Sequence, residues 1–140
     1  MNLLVDTSVW SLAFRRAGPA DAPEVERLRQ GLRSGESLFT TGLILQELLQ
    51  GFQGPTARDA ILARFLALPM IVPDRDDHIA AAELRNRCRR GGVQLGTIDA
   101  LLARLCLRHE LSMLTTDEDF RHAARLVPLH VWRATPDPGE

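Results

Sequence analysis

Residues 3–10 read LLVDTSVW, and the division of that octet decides the fold. Leu3, Leu4 and Val5 form a short apolar run with no polar alternation, the pattern of a buried strand. Asp6 ends the run. Asp6, Thr7 and Ser8 then offer the side-chain oxygens that start helices, and Val9, Leu12 and Ala13 give the next turns an apolar side. The octet therefore reads as a strand running directly into a helix, with an acid at the junction.

The same alternation continues outward. Further strands are expected at 37–41, 70–72, 111–115 and 129–132. Between them lie helical patterns. Pro23 opens one, with Val25, Leu28 and Leu32 on one side and Gly35 at its end. Residues 42–52 form a strongly apolar one, broken by Gly54-Pro55, and 57–68 another, stopped by Pro69. A long helix over 74–90 ends at Gly91-Gly92. Thr97 caps the next, with Ile98, Leu101, Leu102 and Leu105 at helical spacing. A short helix opens at Asp117. No hairpin turn separates any two strands, so the expectation is an α/β fold, a central, mostly parallel five-stranded sheet covered by helices on both faces. One domain is expected over 1–134, with a flexible tail at 135–140, where Pro136, Pro138 and Gly139 fall.

Composition narrows the function. The 140 residues hold 17 Lys+Arg against 18 Asp+Glu, a formal net charge of -1, so nucleic-acid binding requires a local basic patch. Cys88 and Cys106 have no CxxC partner and no His at zinc spacing, and read as reduced structural thiols of a cytoplasmic protein. No apolar run approaches the roughly 18 residues of a membrane span, and Asp6 interrupts the N-terminus where a signal peptide is apolar. Phosphate-loop, dinucleotide and nucleophilic-serine motifs are absent from the sequence.

The acids fall in informative places. Asp6 lies at the carboxyl end of the first strand and Asp117 just past that of the fourth, where open parallel sheets gather functional groups. Asp99 is in the first turn of the helix feeding the fourth strand, and Glu47 is mid-helix after the second. Brought together, these four would make an all-oxygen site suited to a hard divalent cation. Taken singly, Asp6, Asp99 and Asp117 each stand where a helix-capping acid would, and Glu47 where a solvated helix residue would.

LLVDTSVW, Glu47 in LILQELLQG, Asp99 in LGTIDALLA and the closing LTTDEDF together resemble the PIN-domain family, and more narrowly the VapC-type toxins of bacterial toxin–antitoxin pairs. The resemblance runs from Leu3 to about Trp132 and implies an α/β/α sandwich. It carries the family's acidic quartet over to Asp6, Glu47, Asp99 and Asp117, as metal ligands and catalytic groups. Thr115 matches the family's hydroxyl two residues before the last acid, and Asp119 an additional acid. One or two Mg²⁺ or Mn²⁺ ions are implied, and with them endoribonucleolytic hydrolysis by water that leaves a 5′-phosphate. Also implied are a small antitoxin partner and a homodimer.

Arg85, Arg87, Arg89 and Arg90 crowd one helix end, and Arg104 and Arg108 lie four apart on another. Either group can hold RNA phosphates or form a solvated face. Leu45, Leu48, Leu49 and Phe52 offer more apolar surface than one helix face needs, and Trp10 reads as core or as a partner contact. Two other functions remain open from the residues: a housekeeping RNA-processing nuclease without an antitoxin, and a non-catalytic domain whose acids bind a cation or only cap helices.

Overall fold

A computed structural model describes residues 2–15 and 22–134; the expected tail lies outside the described residues. Chain order is β1 (Leu3–Val5), α1 (Thr7–Phe14), α2 (Pro23–Ser34), β2 (Leu38–Thr41), α3 (Gly42–Gly51), α4 (Pro55–Phe65), β3 (Met70–Ile71), α5 (Arg75–Arg90), α6 (Thr97–His109), β4 (Ser112–Leu114) and α7 (Glu118–Ala123).

The strands form a four-stranded sheet in the order β3-β2-β1-β4, and every pairing is parallel. β1 is central, with Leu3 opposite both Leu38 and Ser112, and Val5 opposite Leu114. Leu3, Leu4 and Val5 are all fully buried. Consecutive strand residues point to opposite faces, so three buried in a row require cover on both sides of the sheet. The helices supply it: α1 packs on α2 and α3, α3 packs on α4, and α5 pairs with α6.

The expected fifth strand shrinks to one parallel bridge, Val131 to Met113. Met113 N–H donates to the His130 carbonyl and Trp132 N–H to the Met113 carbonyl, both at 2.9 Å. The chain reaches this edge after the turn that follows α7; Pro128 has no N–H and the Leu129 N–H is taken by the Val127 carbonyl at 2.8 Å, so pairing begins only at His130. Two helix starts also differ. Gly96, not Thr97, is the N-cap of α6, and Pro55, read as a breaker, is the first residue of α4, where its missing N–H costs nothing.

Trp10 belongs to the core: it is 1% exposed and lies against the rings of Phe14 and Phe65, with centroids 6.0 and 4.9 Å away. Leu48 is likewise buried, which removes it from the apolar surface expected on α3; Leu49 and Phe52 remain partly accessible and line a cleft with Pro55 and Arg58.

Arg104 and Arg108 serve the fold. Both reach from α6 to Asp77 on α5, a fully buried carboxylate, at 3.1 and 2.5 Å, and Arg108 also meets Asp74 at 3.2 Å. Burial alone would raise the Asp77 carboxyl, but the Asp74 backbone N–H and the two guanidiniums outweigh it and hold the group below its usual value. Asp77 further closes a reciprocal capping box with Asp74 at the start of α5.

Candidate metal centre

β1 and β4 are paired neighbours, so their carboxyl ends emerge side by side. Asp6 N–H donates to the Leu114 carbonyl at 2.9 Å, which sets Asp6 beside Thr115. Asp6 occupies the N-cap position of α1, yet its carboxylate caps nothing. Its Oδ2 instead accepts from Ser8 Oγ and from Thr115 Oγ1, both at 2.8 Å. Thr115 is fully buried and Asp6 nearly so.

The other acids arrive from different elements. Glu47 projects from α3, half-buried, and its Oε1 accepts from Thr7 Oγ1 at 3.0 Å. Asp117 caps α7, accepting from Asp119 N–H at 2.9 Å, so at this position the capping reading holds alongside any other. Asp119 is exposed. Asp99, in the first turn of α6, is half-buried and its carboxyl is pushed up to about 7. Burial is the main cause; the charges of Asp6, Asp117, Glu47 and Asp119 follow in that order. The fold thus brings all five predicted acids into one electrostatic neighbourhood. Their field reaches further: Cys106, buried beneath on α6, has its thiol pushed up by burial and then by Asp6.

Among the described residues, no three of these acids close around a single point tightly enough to hold an ion unaided. The donors nevertheless suit a hard divalent cation. All are oxygens, their mutual repulsion is what a cation relieves, and Mg²⁺ keeps several waters and needs only one or two carboxylates directly.

The four arginines of α5 separate. Arg85 donates its Nε to the Leu95 carbonyl at 2.9 Å and lines a cleft of about 420 Å³ with His78, Asn86, Thr97 and Ile98, the last two preceding Asp99. Arg87 and Arg90 line another cavity, with Glu83, Arg104 and Pro128. Arg89 is exposed.

Thr7 and Ser8 had read only as helix-starting groups. Their hydroxyls turn instead to Glu47, Asp6 and the Thr115–Thr116 segment. The one signal in the sequence was the placement of two hydroxyl residues directly after Asp6.

Comparison with known proteins agrees with this architecture. The PIN domain family model matches residues 3–126. Ribonuclease VapC11 of Mycobacterium tuberculosis is 32% identical over 129 residues, covering 91% of this chain and 95% of the relative, and a VapC ribonuclease of Mycobacterium bovis matches to the same extent. Among solved structures, VapBC2 of Rickettsia felis bound to a promoter DNA fragment superposes with a TM-score of 0.73 at 18% identity, covering 94% of this chain and 98% of that one. Mycobacterium tuberculosis VapC20, a Sarcin-Ricin loop cleaving toxin, gives 0.66 at 20% identity, covering 91% and 98%. The chain belongs to the PIN-domain family and, within it, to the VapC-type proteins.

Proposed function

We propose that the protein is a metal-dependent endoribonuclease that acts as the toxin of a toxin–antitoxin pair. The observation that carries the reading is the gathering of Asp6, Glu47, Asp117 and Asp119, delivered from three separate elements, about half-buried Asp99, whose carboxyl burial and these acids push up to about 7. A set of helix caps has no reason to converge in this way. The relatives named as VapC ribonucleases support the substrate class, and the VapBC complexes among the structural neighbours support an antitoxin partner.

Asp6 and Asp99 would hold a Mg²⁺ or Mn²⁺ ion, with Glu47 and Asp117 completing the shell directly or through water. When bound, such an ion neutralises charge on the scissile phosphate and supplies a water of lowered pKa. Thr7 orients the Glu47 carboxylate, and Thr115 orients that of Asp6. Asp119, exposed at the rim, adds negative charge and is a supporting group. Among the arginines, Arg85 is best placed to take an RNA phosphate, because its cleft is lined by Thr97, Ile98 and Ala100, which flank Asp99 in the chain. The antitoxin would dock on the apolar cleft at Leu49 and Phe52, at the end of the helix that carries Glu47. No helix of the described residues is long and apolar enough to cross a membrane, and we place the protein in the cytoplasm as a homodimer.

The test is cleavage of single-stranded RNA by the purified protein with Mg²⁺ or Mn²⁺, with EDTA, and with Asp6→Ala. Cleavage is expected only in the first condition. An Asp6→Ala protein that cleaves as fast as wild type after purification by a second route overturns the assignment.

A further inference from the structure

A hydroxyl has one proton to give, so the bonds its oxygen accepts constrain where that proton goes. Two hydroxyls at the ends of β1 and β4 are constrained in this way. Thr115 Oγ1 accepts from Asp117 N–H at 3.0 Å and donates to Asp6 Oδ2 at 2.8 Å. Ser8 Oγ accepts from Thr116 N–H at 3.1 Å and donates to the same Asp6 Oδ2 at 2.8 Å. The two hydroxyl oxygens lie 3.3 Å apart. A charged acceptor wins each proton over a neutral one at longer range, so both protons go to Asp6. Asp6 Oδ1 accepts nothing among the described residues and is not among the buried, unpartnered oxygens, so it is open to solvent.

We propose that Ser8 is a positioning residue: with Thr115 it saturates Asp6 Oδ2 and fixes Oδ1 as the one oxygen this carboxylate offers to a divalent cation. A serine that merely started α1 would turn its hydroxyl to the first-turn N–H groups. Ser8 instead accepts from Thr116 N–H, 108 residues away on the segment leading to Asp117, and so registers Asp6 against that acid as well. Free rotation of the Asp6 carboxylate would spread its charge over two orientations; two donors on one oxygen leave a single orientation.

The inference rests on the metal-dependent reading above, and the test separates the two. Mn²⁺ alone is titrated calorimetrically into metal-free wild type, Ser8→Ala, Ser8→Thr and Asp6→Asn, and each protein is melted in EDTA. Ser8→Ala should stay folded and bind Mn²⁺ about tenfold more weakly or worse, the usual effect of removing a group that orients a ligand. Ser8→Thr, which keeps the hydroxyl, should bind close to wild type. In RNA cleavage at saturating Mn²⁺, Ser8→Ala should lower kcat and leave KM nearly unchanged, since Ser8 bonds Asp6 and Thr116 and, among the described residues, no arginine. Should Ser8→Ala not fold, Ser8→Cys, a poor donor of similar size, takes its place. Wild-type Mn²⁺ affinity in the alanine variant, or in the cysteine variant that replaces it, overturns the proposal, provided Asp6→Asn has lost binding. A folded wild type that binds no Mn²⁺ at all overturns the metal reading and the Ser8 proposal with it.

Discussion

Asp99→Asn removes one negative charge from the acidic neighbourhood with almost no change of shape, and its effect on the metal-free protein can be worked out from the fold. Asp99 titrates at about 7 in the folded protein against an ordinary 3.8, because of burial first and the surrounding acids second. Between those values the folded form holds a proton that the unfolded form has lost. Stability therefore falls as pH rises through this window and stays low above it. The whole window corresponds to about 4 kcal/mol at 1.36 kcal/mol per pH unit. Nearly all of that falls between pH 4 and pH 8. The side chain is only half-buried, so about half of it is expected after solvent screening. Asparagine has no such dependence. In EDTA, urea unfolding should find Asp99→Asn more stable than wild type by about 2 kcal/mol at pH 8, with the difference largely gone near pH 4. Mg²⁺ at ~100 times its dissociation constant should add about 2.7 kcal/mol to wild type and much less to the variant. Parallel pH curves, a variant less stable than wild type at pH 8, or equal Mg²⁺ shifts would refute the shared-field argument.

Other outcomes follow from the same structure. Thr7→Val should free the Glu47 carboxylate and cut RNA cleavage about tenfold, while thermal unfolding in EDTA shows little change; intact activity would mean that Thr7 does not position Glu47. Arg85→Ala should raise KM for RNA and reduce the salt dependence of binding by about one contact, whereas Arg87→Ala should do neither; filter binding across a salt series reads both. Asp77→Ala should cost about 3 kcal/mol in urea unfolding by taking the carboxylate from Arg104, one of two from Arg108, and half of the α5 capping box, and wild type should lose this contribution as pH falls below the ordinary carboxylate range, because the Asp77 carboxyl is held low when folded.

The strand–helix alternation was legible because it rests on local runs: Leu3 to Val5 buried, Asp6 at the junction, Pro and Gly at the helix ends. Local chemistry also placed Asp6, Asp99 and Asp117 at strand ends and helix starts, and Glu47 mid-helix. What local chemistry could not show is which partner a hydroxyl chooses. Ser8 carries the same capping signal whether it bonds its own helix or Thr116, and only the β1–β4 pairing decides between them. Arg104 and Arg108 looked like a basic stripe because Asp77, their buried partner, sits 27 and 31 residues earlier in the chain. The 129–132 segment has strand composition, but composition does not count the ladder bonds that an approach past Pro128 leaves room for.

The position of β1 in the sheet bears on how the protein comes into being. β1 leaves the ribosome before β4, yet β4 is one of its two neighbours. Asp6 must wait 109 residues for the Thr115 hydroxyl that holds it. At roughly 5–20 residues per second, that is a delay of about 5–20 s for each molecule made. Through that interval the nascent chain gains Glu47 and then Asp99 but still lacks the strand and the α7 cap that would gather them with Asp6. A chain released early, anywhere before Ser112, lacks β4 altogether. On the function proposed above, no copy can cut RNA until translation is nearly finished, which leaves an antitoxin that is already present time to meet it as it folds.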